Sequence, residues 1–197
     1  MMYMSWSERN KEDGKIIMEP MKKDLVIKGQ QIYLRPITAD DTEMAVRWRN
    51  RPIVVENFIY RKPVSREDHE NWLANKVFTG LVHQFIVCRN EDDMPLGSIY
   101  LQNFEEEHKK AEWGIYLGEE QAYGKGIGTE AAKLVLNYAF TALGMHKVVS
   151  RVLARNKASI RMNEKAGYVQ EAYLKDELFL EGRYEDLILF GAINPNE

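Results

Sequence analysis

The chain has 197 residues, 45% of them hydrophobic and 29% charged, with 27 Lys and Arg against 30 Asp and Glu for a net charge of −3. That profile fits one globular domain with a sizeable core, built without metal or disulfide support. It lacks the basic excess of a nucleic-acid binder and the Lys/Arg block that an anionic membrane attracts, and no apolar run approaches the about 20 residues of a membrane-spanning helix.

Residues 1–24 are polar and Met-rich, without the apolar stretch of a signal peptide. They are expected to form a flexible extension ahead of a single domain over residues 25–197. Residues 31–35 read as a strand, with Ile32 and Leu34 on one face. Thr38 as N-cap with Asp41 at N3 then opens a helix through Trp48, and Ser65 with Asp68 repeats that signature for a helix to about Lys76. Residues 84–89, 96–102 and 110–117 read as a strand meander, with Asn90-Glu91-Asp92-Asp93 as the first turn. Cys88 sits in the apolar run Phe85-Ile86-Val87-Cys88 and reads as a small buried hydrophobe. As the single cysteine it forms no internal disulfide, which fits a cytoplasmic location.

After the meander come three glycines in five residues, then the clearest helix of the chain over residues 129–143. Ala132, Val135, Leu136, Ala139, Phe140 and Leu143 make its apolar stripe, and Gly144 stops it. A strand over 147–153, a helix over about 158–166 and two strands flanking the hairpin signal Glu181-Gly182 complete the chain. The order βαα-βββ-α-β-α-ββ implies an α+β or mixed α/β fold with one twisted central sheet.

Residues 121–129, QAYGKGIGT, are the strongest chemical signal. Gly124, Gly126 and Gly128 let the backbone approach a ligand and adopt positive φ. The turn leads into a helix N-terminus, where unpaired N–H groups and the dipole favour an anion, and Lys125 adds a charge. Spacing excludes a P-loop, since Gly118 stands one residue too far from Gly124-Lys125 and Gly126 replaces the hydroxyl residue. It also excludes the dinucleotide fingerprint, whose third interval differs and which follows the first strand of a parallel unit. A ligand-free glycine-rich connector remains the plain alternative for the turn taken alone.

Gln121-Ala122-Tyr123-Gly124-Lys125-Gly126 resembles the Arg/Gln-x-x-Gly-x-Gly/Ala signature of the GNAT superfamily of acetyltransferases. Asn156-Lys157-Ala158-Ser159, followed by Glu164-Lys165-Ala166-Gly167-Tyr168, is similar to that family's N-x-x-[AS] and EKxG[FY] segment. Leu34-Arg35-Pro36 resembles its opening strand. Gly182-Arg183-Tyr184-Glu185-Asp186 is similar to the RimJ/RimL branch, which acetylates protein N-termini. Trp48-Arg49-Asn50 with His69 and Trp72 resembles the branch that acetylates amino sugars on nucleotides, and the segment around Ala111-Glu112 resembles spermidine acetyltransferases. The resemblance spans residues 30–192. It implies a mostly antiparallel sheet with a splayed strand pair, acetyl-coenzyme A as co-substrate, an amine acceptor and a homodimer.

By the same resemblance, Ile115, Tyr116 and Leu117 contact the pantetheine and thioester. The amides of Gln121, Ala122, Tyr123, Gly124, Lys125, Gly126, Ile127, Gly128 and Thr129 surround the pyrophosphate, and Asn156 bonds the pantetheine amides. Glu112 is the candidate general base, with a half-exposed surface glutamate as the alternative. Where many members carry a tyrosine as general acid, this chain has Asn163. Ser159, one helical turn from Asn156, is the substitute candidate, against the reading that it caps the helix. Trp48, Arg49, His69 and Trp72 are expected to line the acceptor wall, against plain core or surface roles. His83, His108 and His146 show no metal-ligand spacing, so no metal is expected. Two readings outside catalysis stay open: a non-catalytic acyl-CoA-binding regulator on the same fold, and an interaction domain with an empty glycine turn.

Overall fold

The computed structural model describes residues 18–196 and, ahead of them, two short strands, β1 (Lys11–Glu12) and β2 (Lys15–Ile16), paired antiparallel. Met18 donates its N–H to Gly80 O, and Met18 and Met21 pack on the core. Within residues 18–24, expected to belong to a flexible extension, Met18 and Met21 are therefore held by apolar contacts while the other five are exposed; most residues before them lie outside the described residues. His83 completes the attachment. Its Nε2 lies 3.0 Å from Glu19 O, a pure acceptor, so Nε2 carries the proton and Nδ1 accepts from the Tyr138 hydroxyl at 3.0 Å. Burial pushes this imidazole down to about 4, which keeps it neutral.

One eight-stranded sheet organises the chain. In chain order its strands are β3 (Ile27–Lys28), β4 (Ile32–Pro36), β5 (Val82–Arg89), β6 (Pro95–Glu105), β7 (Lys110–Leu117), β8 (Lys147–Leu153), β9 (Val169–Leu180) and β10 (Arg183–Ile193). In space the order is β3-β4-β5-β6-β7-β8-β10-β9. Every neighbouring pair is antiparallel except β7 with β8, which is parallel and paired only where residues 110–112 face 147–149. Beyond that point the two strands diverge. The sheet is open and mostly antiparallel, as expected, with the splay at its centre.

Both faces are covered. On one, α4 (Ile127–Thr141) and α5 (Lys157–Ala166) close a core that includes Phe85, Ile99, Leu101, Ala111, Trp113, Val135 and Ala139. On the other, α1 (Thr42–Arg49), α2 (Pro52–Val55) and α3 (Arg66–Trp72) close a smaller core of Ile37, Ala45, Trp48, Val54, Leu73, Ile86, Cys88 and Tyr116. The Ser65–Asp68 capping box is present, with Ser65 Oγ accepting from the Asp68 N–H at 3.0 Å. The expected helix to Lys76 instead widens after Trp72 into a π-type turn over Leu73–Val77, closed by Phe78 N–H to Leu73 O. Helix α2 was not foreseen, although Pro52 in the first turn after extended Arg51 is a helix-start signal. Helix α4 starts two residues earlier than its apolar stripe implied, because left-handed Gly126 is its N-cap.

Candidate active site

The splay between β7 and β8 opens a cleft of about 1090 Å³ that runs from the glycine turn to the α1–α3 side of the sheet. Gly118 donates its N–H to Leu96 O. By antiparallel alternation, the groups of Leu117 and Ile115 then face away from β6, into the opening. The Tyr123 hydroxyl bonding Leu117 O at 3.1 Å agrees with that direction. Ile115 and Leu117 thus present backbone to the cleft. Tyr116 offers its ring instead, buried edge-on against Trp48 and Phe58.

At the far end of β7, a 3-10 turn over Glu120–Ala122 leads to Gly124 and Gly126, with φ of 74° and 82°. A Cβ on either glycine would meet nothing within 4 Å. No side chain caps α4, and Glu130 is the first residue of the helix whose N–H bonds back, to Gly126 O. The amides of Gly124 to Thr129 are therefore left without a protein acceptor among the described residues, an anion-accepting cradle, whereas those of Ala122 and Tyr123, expected to join them, donate to Glu119 O and Glu120 O. Ala122, Tyr123, Gly124, Gly126, Gly128 and Thr129 line the cleft. Gln121, Lys125 and Ile127 turn their side chains away from it, toward a small depression beside Gln30, Gln31 and Arg89. Gln121 Nε2 reaches Met94 Sδ, and Ile127 is buried in the core.

Glu112 stands at the crotch of the splay, the last residue of β7 paired with β8. Its carboxylate lines the cleft and is held from two sides. Asn103 Nδ2 donates to Oε2 at 3.1 Å, and Arg151 Nε and Nη2 reach Oε1 at 3.1 Å each. Asn103 adopts φ of 53° at a bulge in β6, which aims its amide at Glu112. Neither Asn103 nor Arg151 was singled out from the sequence, and a bulge gives no composition signal. The environment of Glu112 is thus polar and ionic. Beside it, Tyr100 packs its ring end over Gly114. Burial, then the Glu112 charge, pushes the Tyr100 hydroxyl up to about 12.

On α5, Asn156 caps the helix, its Oδ1 accepting from the Ser159 N–H at 3.0 Å. Its Nδ2 remains available to the cleft, which both residues line. The cap is Asn156 and not Ser159, so the alternative reading of the serine is corrected. Asn163 is buried and used at both ends, accepting from Ser150 Oγ at 2.6 Å and donating to Ser159 O at 2.9 Å. It fastens α5 to β8.

The four expected acceptor residues separate. Trp48 is fully buried, donates Nε1 to Glu119 at 2.7 Å and does not line the cleft. It packs so closely on Gly118 that a methyl there would overlap its indole. Trp48 is a brace: with Arg51, which pairs with Glu120 and bonds Gly118 O, it holds the connection from β7 to the glycine turn. Arg49, His69 and Trp72 do line the cleft. Trp72 Nε1 is taken by Gln84 at 2.8 Å, and Gln84 in turn bonds Ser98. His69 is buried with Nδ1 3.2 Å from Thr42 Oγ1, and desolvation holds its pKa below the usual value. The loop after α2 closes this end. Asn50 bonds both the N–H and the carbonyl of Val64, which brings Phe58 and Tyr60 to the cleft wall.

Residues 31–169 match the family described as acetyltransferase (GNAT) domain. The spermidine N(1)-acetyltransferase of Escherichia coli (strain K12) is 34% identical over 162 residues, covering 81% of this chain and 84% of that one. The probable N-acetyltransferase YjcK of Bacillus subtilis (strain 168) is 26% identical over 179 residues, covering 87% and 99%. Among solved structures, the spermidine N-acetyltransferase of Vibrio cholerae in complex with CoA and spermine has a TM-score of 0.77 over 84% of this chain and 97% of that one, at 23% identity. The family match covers well over half of the sequence and coincides with the splayed sheet and the glycine turn. This chain belongs to the GNAT family and is an acetyltransferase.

Proposed function

We propose that the enzyme transfers the acetyl group of acetyl-coenzyme A to a primary amine by direct attack within a ternary complex. The observation that carries this reading is a single cleft joining the open amides after Gly124, the outward backbone of Ile115 and Leu117, and the carboxylate of Glu112. The amides of the turn receive the pyrophosphate. The unpaired edge of β7 and the Nδ2 of Asn156 receive the pantetheine, and a backbone N–H of β7 stabilises the oxyanion that forms on attack. Glu112, fixed by Asn103 and Arg151, takes the proton of the incoming amine, directly or through a water.

Two of the three named relatives are spermidine acetyltransferases by their names, which supports a small amine over a protein N-terminus. The loop pinned by Asn50 narrows the acceptor end in the same sense. A thermal-shift titration joined to a thiol-release assay over a panel of amines tests the reading. Acetyl-CoA raises Tm, and thiol release requires an amine. Binding without amine-dependent release in any member of the panel would instead support the non-catalytic regulator.

A further inference from the structure

The α1–α3 side of the cleft holds a positive charge that has no counter-ion among the described residues. The Arg49 guanidinium lies 3.8 Å from the centroid of Phe58 and 5.8 Å from that of Tyr116. Its Nη1 is buried and has no hydrogen-bond partner. Desolvation pulls its pKa down, and the groups that act back on it are the phenols of Tyr116, Tyr100 and Tyr60, with no carboxylate among them. By contrast, Arg47, Arg51 and Arg151 each reach a glutamate. Asp68 also lines the cleft, but its Oδ2 is used by the Ser65 N–H and hydroxyl at 2.8 and 2.7 Å. Within the same cleft, His69 presents a second buried nitrogen, Nε2, that has no partner.

A desolvated guanidinium without an acceptor is costly, and aromatic faces offset only part of that cost. A ligand anion would restore the missing hydrogen bonds and charge partner together. Tyr100 links such an anion to the chemistry: it lines the same cleft as Arg49 and Glu112, and both charges act on its hydroxyl. The unmatched cation and the base therefore share one cleft, where a single molecule can meet both.

We propose that the acceptor itself carries an anionic group, a carboxylate or a phosphate, which Arg49 binds while the amine of the same molecule faces Glu112. The proposal rests on the acetyltransferase reading and narrows its acceptor class. It also sets this chain apart from relatives named for spermidine. A polyamine would bring further positive charge to a buried guanidinium that has no carboxylate to share.

The test is thiol release by the wild-type enzyme at saturating acetyl-CoA with matched amines: an amino acid and its amide, glucosamine 6-phosphate and glucosamine, and spermidine. The expected result is that an anionic member is the best acceptor, with kcat/KM at least about tenfold above its uncharged counterpart. Which pair shows it separates carboxylate from phosphate. Arg49→Met, which keeps the stem and removes the charge, reduces that ratio to within about twofold. If spermidine or an uncharged amine is the best wild-type acceptor, the proposal is overturned without any variant having to fold. If no amine supports release, that counts against the proposed function. The anion site is then judged on the coenzyme A-bound protein, where the anionic member of a pair must raise Tm more than its counterpart, and equal shifts overturn it.

Discussion

The turn at Gly124 and the wall around Arg49 belong to one cleft, yet the first presents backbone and the second presents side chains. At the turn, two left-handed glycines and the start of α4 leave amides open, and the chain places nothing within 4 Å of where a Cβ would stand. At the acceptor end, rings from two different segments, Phe58 and Tyr116, face one guanidinium. Backbone cradles need few residue types at fixed spacing, so they repeat from protein to protein. Side-chain walls are assembled from distant segments and vary with the molecule bound.

The largest expected effect breaks the acceptor side while leaving the coenzyme side alone. Glu112→Gln keeps the size of the side chain and an oxygen for Arg151, but a carboxamide takes no proton. We expect kcat to fall about 10²- to 10⁴-fold, with the acetyl-CoA dissociation constant unchanged by calorimetric titration. Near-wild-type kcat would remove Glu112 from the proton path. Next comes the brace between the two ends. Gly118→Ala drives a methyl into the indole of Trp48, which is fully buried and hydrogen-bonded to Glu119. Overpacking of this kind should cost about 3 kcal/mol, read as a lower midpoint in denaturant at constant m-value. A variant as stable as wild type would mean that the connection from β7 shifts freely.

The same contrast explains what could be read from the sequence. The three glycines, their place before an amphipathic helix and the Asn156 and Glu164 segments located the cradle, because each is a local pattern with a local cause. Trp48 was misplaced among acceptor residues because a tryptophan on a short helix reads the same whether its ring meets a ligand or Gly118, 70 positions away in the chain. Asn103 and Arg151, which hold Glu112, were missed because a bulge and a cross-strand ion pair depend on register, and register is set by the whole sheet. Residues 18–24 looked like loose chain because the Met18 and Met21 contacts that hold them are tertiary.

A smaller effect sharpens the coenzyme side. Gly126→Ala meets no atom of the protein, so its cost comes from holding an L-residue at φ of 82° and from a methyl in the space the ligand enters. The strain alone is worth about 1–2 kcal/mol. Acetyl-CoA binding should weaken by about tenfold, while kcat at saturating coenzyme stays near wild type. A fall in kcat with unchanged binding would mean that the turn serves chemistry rather than affinity.

The smallest expected effect concerns Ser159, offered as a substitute for the missing tyrosine. Its backbone N–H is spent on the cap made by Asn156, and its carbonyl accepts from Asn163. Ser159 lines the cleft, and among the described residues no base or cation bonds its hydroxyl, so nothing lowers the cost of giving up its proton. A coenzyme A thiolate leaves without protonation near neutral pH, since a thiol with an ordinary pKa of about 8.5 is already a tolerable anion there. Ser159→Ala should therefore change kcat by less than about twofold at pH 7, and no more at pH 9, where an acid is needed least. A loss of tenfold or more at pH 7 that shrinks toward pH 9 would make Ser159 the proton donor to the leaving thiolate, with Glu112 still the base on the acceptor side.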